Sequence, residues 1–592
     1  MKPIFAALAC VSILAFTGCA PDRQLPAGER LAALVAEWHE QTLERHPLGA
    51  TYAGDDRYND RLPNYLSPGF IAEERARNAR FLQVARAIDP AELDEADRIT
   101  LAVFLYDREL QREAERFPAE LLPLNQFFSI QNEFPSLGSG RSAQPFKTVQ
   151  DYRNWVKRVE DFAVLLAQAE ANMREGMKRQ VVLPRVLVER MLPQLQAHIV
   201  DAVEDSLFWQ PVENFPADFD AEQRQALREL YARMITDTVV PAYRRLHDFL
   251  RDEYLAAARA SYGFDALPDG KAWYRHMIRR HTTLDLDPAE LHRLGLAHVQ
   301  RNLDEMRAVM RQSGFEGSLQ EWFAFLRDDP RFHAESEAAL LDGYRAIEAR
   351  VNAVIPRLFD VQPRAGFEVR AIESYRAASS AGAFYQSPSQ DGKRPGAFYV
   401  NTHNLKAQPW HGMRTLFMHE AIPGHHFQVS LQQEQADLPA FRRQGRYSAY
   451  TEGWALYAES LGKELGLYDD PMDWYGHVEA DQLRALRLVV DTGLHSRGWS
   501  REQAIEFMLA NSSMAESDAI AEVERYMAFP AQALAFKVGQ LKIRELRERA
   551  AQALGEDFDV RDFHRQVLRS AVPLPILEDV IERWIEQQRD RG

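Results

Sequence analysis

The spacing of apolar residues constrains the fold of this chain more than any other feature. Apolar side chains recur at steps of three and four residues in 31–42, 162–173, 227–250 and 291–310, which is the pattern of helices with one buried face. The same periodicity returns near residue 415 and continues to the end of the chain. The sequence therefore predicts a mainly α-helical protein.

Three short phrases mark points where helices should begin. Asp89 and Asp287 are each followed by Pro-Ala-Glu, and Ser500 is followed by Arg-Glu-Gln. Each phrase combines a side chain that caps a helix with residues that suit its first turn. We expect a helix to start directly after each of the three residues.

The segment between residues 366 and 401 departs from the helical pattern. Residues that favour strands form three short stretches separated by turn residues, and the stretches are 367–372, 383–386 and 397–400. This predicts a small sheet in front of the helix that begins near residue 415. We expect 397–401 to be an edge strand, to which an extended peptide can add as a further strand.

The size and net charge of the chain limit its possible domain organisation and its possible binding partners. The chain has 592 residues and a formal net charge of −16, so it can bury one large core or several smaller ones. Such an acidic chain is a poor partner for nucleic acid, because phosphate binding needs a basic face. No segment after residue 26 marks a firm domain boundary, and a division into halves 27–270 and 271–592 is a hypothesis.

The N-terminus has the pattern of a secretory signal. A lysine precedes an apolar stretch that is too short to span a bilayer, and Thr17 and Gly18 precede Cys19. This resembles a bacterial lipoprotein signal, which predicts a signal peptide over 1–18, lipidation of Cys19 and a tether over 19–26. The alternative is a plain secretory signal with an incidental cysteine.

The expected location follows from this signal. The body would stay in the cell envelope on the periplasmic side and meet the membrane only through its lipid anchor. By resemblance to known sorting behaviour, Ala20 is compatible with export to an outer membrane.

One segment concentrates residues that bind metals. His419-Glu420-Ala421-Ile422-Pro423-Gly424-His425-His426 carries three histidines and one glutamate in eight residues, and imidazole and carboxylate groups are ligands that zinc prefers. Glu420 follows a candidate ligand directly, so its carboxylate could act as a general base toward a water molecule at the metal. The segment therefore predicts zinc as the cofactor.

The spacing of the second histidine is unusual. In His-Glu-x-x-His the two histidines share one helix face, but here Pro423 occupies the fourth position after His419. Proline removes a helical hydrogen bond and glycine tolerates unusual backbone angles, so Pro423-Gly424 should bulge or loop out. A bulge of two residues places His425 under His419, with His426 as the alternative ligand. In the other interpretation the helix ends at Ile422 and both histidines open the next helix.

A third ligand is expected downstream. Glu452 lies in a stretch with the apolar pattern of a packed helix, and a buried carboxylate needs a partner or a metal. Glu459 lies seven residues later on the same helix face. It could support a ligand histidine through a hydrogen bond instead of binding the metal itself.

These motifs together resemble those of a known family. The segment 419–426, the sequence Thr-Glu-Gly-Trp-Ala-Leu-Tyr at 451–457 and the phrases at 487–495 and 525–534 are similar to the bacterial lipoprotein family called domain of unknown function 885. That family is grouped with the glutamate-ligand zinc metallopeptidases, or zincins. The resemblance implies a large helical metallopeptidase-like fold with a small sheet edge beside the metal-binding helix. It also implies His425 as the second ligand, because in related peptidases this ligand follows a glycine.

The sequence therefore favours a zinc-dependent hydrolase of peptide bonds, with a peptide as its substrate. Tyr526 and His495, each in a phrase shared with the family, are candidate donors to a transition-state oxygen. Two other functions stay open. One is a non-catalytic helical lipoprotein that binds zinc or peptides, and the other is a metal hydrolase of another amide or ester.

Overall fold

The computed structural model describes residues 25–140, 142–372, 382–388 and 394–591. Within these residues the chain is mainly helical with one small sheet, so the predicted fold class is confirmed. Among the described helices, none has the length and hydropathy needed to cross a bilayer. The signal peptide and Cys19 lie outside the described residues, and their assignments stay predictions.

Among the described residues before residue 260 there are ten α-helices. They are α1 (Ala27–Arg45), α2 (Pro47–Tyr52), α3 (Pro68–Arg86), α4 (Glu95–Ala114), α5 (Ile130–Leu137), α6 (Val149–Arg179), α7 (Arg185–Gln196), α8 (Ala221–Met234), α9 (Val240–Phe249) and α10 (Leu255–Ala257). Short π-helical turns join the last three into one continuous rod. Apolar side chains from this part form one large core, whose buried residues all lie between Leu62 and Tyr254.

The rest of the chain contains the sheet and fourteen further helices among the described residues. They are α11 (Gly270–Thr282), α12 (Pro288–Gln312), α13 (Leu319–Asp328), α14 (Glu337–Val354), β1 (Phe367–Ala371), β2 (Ala383–Gln386), β3 (Gly396–Val400), α15 (Trp410–Glu420), α16 (His425–Gln433), α17 (Ala440–Gln444), α18 (Ser448–Ser460), α19 (Pro471–Ser496), α20 (Arg501–Ala510), α21 (Glu516–Ala528), α22 (Ala535–Leu554), α23 (Val560–Ser570) and α24 (Leu574–Arg589). A second large core lies mostly among these elements, but Val103 and Phe117 also enter it. The division near residue 270 stays a prediction.

Two of the three expected helix starts are confirmed. Asp287 accepts a hydrogen bond from the backbone N–H of Ala289 at 2.8 Å and begins α12, and Ser500 begins α20 with a capping box. The expectation at Asp89 is wrong. Only a single 3₁₀ turn follows it, because the chain then extends to bury Leu93 and a second cap, Asp94, begins α4.

The sheet is correctly located, but one strand was misplaced within it. The strand order is β1-β3-β2, with β3 parallel to β1 and antiparallel to β2. The segment expected at the edge is therefore the central strand, and all five of its residues are buried. Its side chains are apolar on both faces, which is typical of a strand covered on both sides. β2 contacts both α15 and α16, and the rings of Phe367 in β1 and Phe398 in β3 also lie close to the ring of Phe417 in α15.

The contact between α18 and α22 is unusually close. A Cβ atom added to Gly453 would lie 2.4 Å from the Cα atom of Gly539, and one added to Gly539 would lie 1.9 Å from the carbonyl oxygen of Ala449. Both distances are far below ordinary contact, so these backbones approach each other only because both positions are glycine. The contact sets the position of α18, which carries Glu452 and Glu459.

We expect Gly453→Ala to destabilise the protein, because the new methyl group must push two helix backbones apart. Overpacking of this kind costs about 1–3 kcal/mol, and a shift of the urea unfolding midpoint measures it. Gly69→Ala is the matched control, since a Cβ atom at Gly69 meets nothing within 4 Å. An unfolding midpoint for Gly453→Ala equal to that of Gly69→Ala would contradict this packing.

Candidate metal centre

The segment with the histidines forms a helix break. α15 ends at Glu420 and α16 begins at His425, so the chain adopts the two-helix arrangement and not a bulge within one helix. A Cβ atom on Gly424 would lie 1.9 Å from the carbonyl oxygen of His419. Glycine thus allows α16 to start directly against the end of α15. The indole Nε1 of Trp454 donates to the carbonyl of Pro423 at 2.8 Å and holds the break from the other side.

The break brings three expected ligands together. The Oε2 atom of Glu452 lies 3.6 Å from Nε2 of His419 and 3.4 Å from Nε2 of His425. The ligand atoms of the three residues all lie within 4.8 Å of one another, and no other group of this kind occurs among the described residues. Ligands at about 2.1 Å from a tetrahedral zinc ion are separated by about 3.4 Å. The residues therefore fit a zinc ion with three protein ligands.

Glu459 supports His419 from behind. Its fully buried carboxylate lies 2.7 Å from Nδ1 of His419, so Nδ1 donates to it and Nε2 is left to face the cluster. Nη2 of Arg484 lies 3.4 Å from the same carboxylate, and Nδ1 of His477 lies 3.8 Å from it. The supporting role expected for Glu459 agrees with this geometry, whereas Arg484 and His477 were missed by sequence reasoning.

Opposite charges on the histidines and glutamates stabilise the cluster. Burial lowers the pKa of His419, but contact with Glu452 and Glu459 outweighs burial and raises this pKa to about 9. Burial would raise the pKa of Glu452, but His425 and His419 outweigh it and hold the pKa well below its usual range. Zinc takes a neutral imidazole, so binding would release a proton from the cluster.

His426 turns away from the cluster. Its Nδ1 atom lies 3.0 Å from the hydroxyl of Tyr385 in β2 and 3.3 Å from Oγ of Ser430. Its ring lies 4.7 Å from that of Phe367, and burial lowers its pKa to about 4. His426 thus packs α16 onto the sheet, and His425 is the histidine that joins His419 and Glu452.

The candidate base lies at the end of α15. Glu420 is partly buried, and within the described residues its carboxylate takes part in no hydrogen bond. Its charge acts on the hydroxyl of Tyr344, whose pKa is raised by burial and by Glu420. Tyr344 donates in turn to Oε1 of Gln408 at 3.3 Å. No motif in the sequence marks Tyr344, because only the packing of α14 brings it to this position.

The structure does not bring His495 to the cluster. Nδ1 of His495 accepts from the N–H of Phe264 at 3.1 Å, and Nε2 donates to the carbonyl of Tyr526 at 3.0 Å. The residue also lies eighteen positions beyond His477 on α19, which is about 27 Å along a helix axis. The hydroxyl of Tyr526 donates to Glu522. The role of both residues as oxyanion donors stays a prediction.

Comparison with known proteins gives a consistent set of matches. The family described as "Bacterial protein of unknown function (DUF885)" matches residues 47–581. A crystal structure described as a "putative lipoprotein" from Colwellia psychrerythraea is 30% identical, with a TM-score of 0.88, and the match covers 95% of this chain and 99% of that chain.

A "putative lipoprotein of unknown function" from Shewanella oneidensis is 15% identical, with a TM-score of 0.73, and the match covers 93% of this chain and 99% of that chain. At this identity the likeness concerns the fold alone. The search of curated proteins gives no match.

We expect His425→Ala to lose zinc and His426→Ala to retain it, because only His425 shares the cluster with His419 and Glu452. Zinc titration of the two purified variants measures the difference. The loss for His425→Ala should exceed the roughly 10–100-fold change typical of residues that only support a ligand. Retention of zinc by His425→Ala together with its loss from His426→Ala would overturn the assignment.

Proposed function

This chain belongs to the DUF885 family of bacterial proteins, and we propose that it is a zinc-dependent hydrolase of peptide bonds. The observation that carries the proposal is the meeting of His419, His425 and Glu452 beside Glu420. Two histidines and a glutamate as ligands, with a further glutamate next to the first histidine, are the donor set of a glutamate-ligand zincin.

The set of three ligands is more typical of a catalytic zinc site than of a structural zinc site. Structural zinc sites are usually closed by four protein ligands, whereas catalytic sites use three and keep one position open. Among the described residues, the cluster contains three. Zinc, when bound, would supply a Lewis acid that polarises a carbonyl group and lowers the pKa of a water molecule.

The chain's own residues supply the proton transfers. Glu420 would accept the proton of the attacking water and later deliver it to the leaving amine, since one carboxyl can serve first as base and then as acid. Glu459 would hold His419 in the tautomer that presents Nε2 to the metal. A site that holds zinc only for structure has no use for a base such as Glu420.

The sheet offers a way to align a peptide. β2 lies at an edge of the described sheet, and Tyr385 in this strand contacts His426, which neighbours a proposed ligand. An extended substrate could add to β2 as a further strand, so that backbone hydrogen bonds position the scissile bond. β2 thus takes the role that the sequence suggested for 397–401.

Attachment to a membrane forms part of the proposal. The cysteine signal at Cys19 and the 30%-identical structure described as a putative lipoprotein support a lipid-anchored protein of the cell envelope. The proposed location of the catalytic body is the periplasmic side.

We expect Glu420→Gln to keep zinc and fold but to lose hydrolysis by at least about 10²–10⁴-fold, because the change removes the base and preserves the ligands. Digestion of a peptide library, with and without a chelator, measures activity, and metal analysis measures zinc. Glu305→Gln on α12 is the matched control. Activity of Glu420→Gln close to that of the parent would remove this residue from the mechanism.

Library digestion also separates the remaining functions. A zinc-loaded parent that cleaves no peptide but hydrolyses simple esters or other amides would favour a different hydrolase. A zinc-loaded parent without any hydrolysis would favour a binding protein.

We expect Cys19→Ala to release the protein from membranes or to block its processing, because the thiol that would carry the lipid is absent. Fractionation of cells that express the parent and the variant measures the distribution. A parent protein found only in the soluble fraction would indicate that the N-terminal segment is an ordinary secretory signal without lipidation.

A further inference from the structure

Two arginines converge on one glutamate away from the metal cluster. Nη2 of Arg487 lies 3.1 Å from Oε2 of Glu522, and Nη2 of Arg525 lies 3.0 Å from the same atom. The side chains keep some contact with solvent, with exposed fractions of 10%, 10% and 21% for Arg487, Arg525 and Glu522. We call these three residues the arginine pair and its glutamate.

Neighbouring groups hold the two guanidinium planes in place. The ring of Phe536 lies 4.6 Å from the guanidinium of Arg487, and the ring of Tyr526 lies 4.8 Å from that of Arg525. Nη1 of Arg525 donates to Oε1 of Gln532 at 2.7 Å. Aromatic rings and fixed acceptors reduce the freedom of long side chains, so the pair loses less entropy when it binds a ligand.

Positive charge exceeds negative charge at this position. Glu522 supplies one negative charge against the two arginines. Asp491 also lies within electrostatic reach of Arg525, but its carboxyl accepts from the hydroxyl of Tyr274 and the N–H of Ala531. Burial raises the pKa of Asp491 to about 7, so it provides less than a full charge near neutral pH. The pair therefore has capacity for a further anion.

Exposed apolar side chains adjoin the arginine pair. Phe127 lies 5.8 Å from the guanidinium of Arg525, and Phe127 and Phe128 are 40% and 59% exposed. The loop that carries them is tied to α21, because Nε2 of Gln126 donates to the carbonyl of Glu524 at 3.0 Å. An exposed apolar surface thus adjoins a guanidinium, which suits a ligand with both a carboxylate and a peptide chain.

Two contacts connect the arginine pair to the metal cluster. Arg484 touches Glu459, the support of His419, at 3.4 Å, and Arg487 follows one helical turn later, about 4.5 Å along the axis of α19. On the other side Phe536 lies in the first turn of α22, one turn before Gly539, which touches Gly453 beside Glu452. Both routes thus place the pair one helical turn from groups that contact the cluster's supporting residues.

We propose that Arg487 and Arg525 bind a carboxylate of the peptide substrate and so determine which peptides are cleaved. This inference rests on the proposed function. The carboxylate belongs either to the C-terminus of the peptide or to an acidic side chain. Paired guanidinium groups recognise either one through charge-assisted, bidentate hydrogen bonds.

The test measures binding to chelator-treated, metal-free protein at low salt, so that it is independent of hydrolysis. Three N-acetylated alanine-based peptides serve as probes: one with a free C-terminus, its C-terminal amide, and an amide with one internal glutamate. Titration calorimetry should show at least one carboxylate peptide binding about tenfold or more tightly than the neutral amide. The preferred carboxylate peptide identifies the source.

Variants test whether the preference for carboxylate peptides comes from Arg487 and Arg525. Arg525→Gln should reduce the preference to less than about twofold, whereas Arg307→Gln on the exposed face of α12 should leave it unchanged. Glu522→Gln should strengthen carboxylate binding, because it removes the internal competitor. If circular dichroism shows that Arg525→Gln does not fold, Glu522→Gln decides the question.

Equal binding of all three peptides by the parent would overturn the proposal, as would an undiminished preference in Arg525→Gln or weaker binding by Glu522→Gln. A zinc-loaded parent protein that cleaves no peptide, but whose metal-free form prefers carboxylate peptides, would instead count against the proposed function alone.

Discussion

The geometry of the candidate site depends on one close contact between backbones. Gly424 lies against the carbonyl oxygens that end α15, at a distance that no side chain would allow. This contact lets α16 begin immediately after the break, with His425 as its first residue. A continuous helix would place His425 about 240° around the axis from His419 at 100° per residue, and no metal could reach both. The helix break is therefore what unites the two histidines.

A single helix completes the cluster from the other side. Glu452 and Glu459 lie two turns apart on α18, about 10 Å along its axis, and they contact opposite edges of the His419 imidazole at 3.6 and 2.7 Å. The position of α18 depends on the glycine contact with α22 and on the hydrogen bond from Trp454 to the break itself. The same packing that orders the core thus orients the candidate ligand Glu452 and the supporting Glu459.

Local patterns were sufficient to predict this centre, because its residues are close in sequence and each carries a distinct chemical signal. His419, Glu420, His425, Glu452 and Glu459 could all be proposed from spacing and the cost of burying charge. Pro423 and Gly424 indicated that the helix would be interrupted, although not that it would end at Glu420. The wrong helix start predicted at Asp89 shows the limit of local capping signals, because Asp94 offers a second cap five residues later and begins the helix instead.

Features that depend on distant partners could not be predicted in the same way. The three strands were recognised, but strand order depends on which segments meet in space, so the expectation that 397–401 lies at an edge was wrong. Tyr344, Arg484 and His477 come from helices remote in sequence from the histidine segment. His495 was proposed from a phrase shared with the family, and only the packing shows that both of its ring nitrogens have partners in other elements. Its role as an oxyanion donor stays a prediction.

One helix links the chemistry of the centre to the proposed recognition of substrate. α19 carries Arg484, which touches the support of His419, and one turn later Arg487, which belongs to the arginine pair. Much of the helix is buried, so it behaves as a rigid element and not as two independent side-chain supports. A shift of α19 along its axis would move both arginines by the same amount. Metal affinity and carboxylate preference would therefore change together in variants that alter the packing of α19, and separately in variants that alter only one arginine.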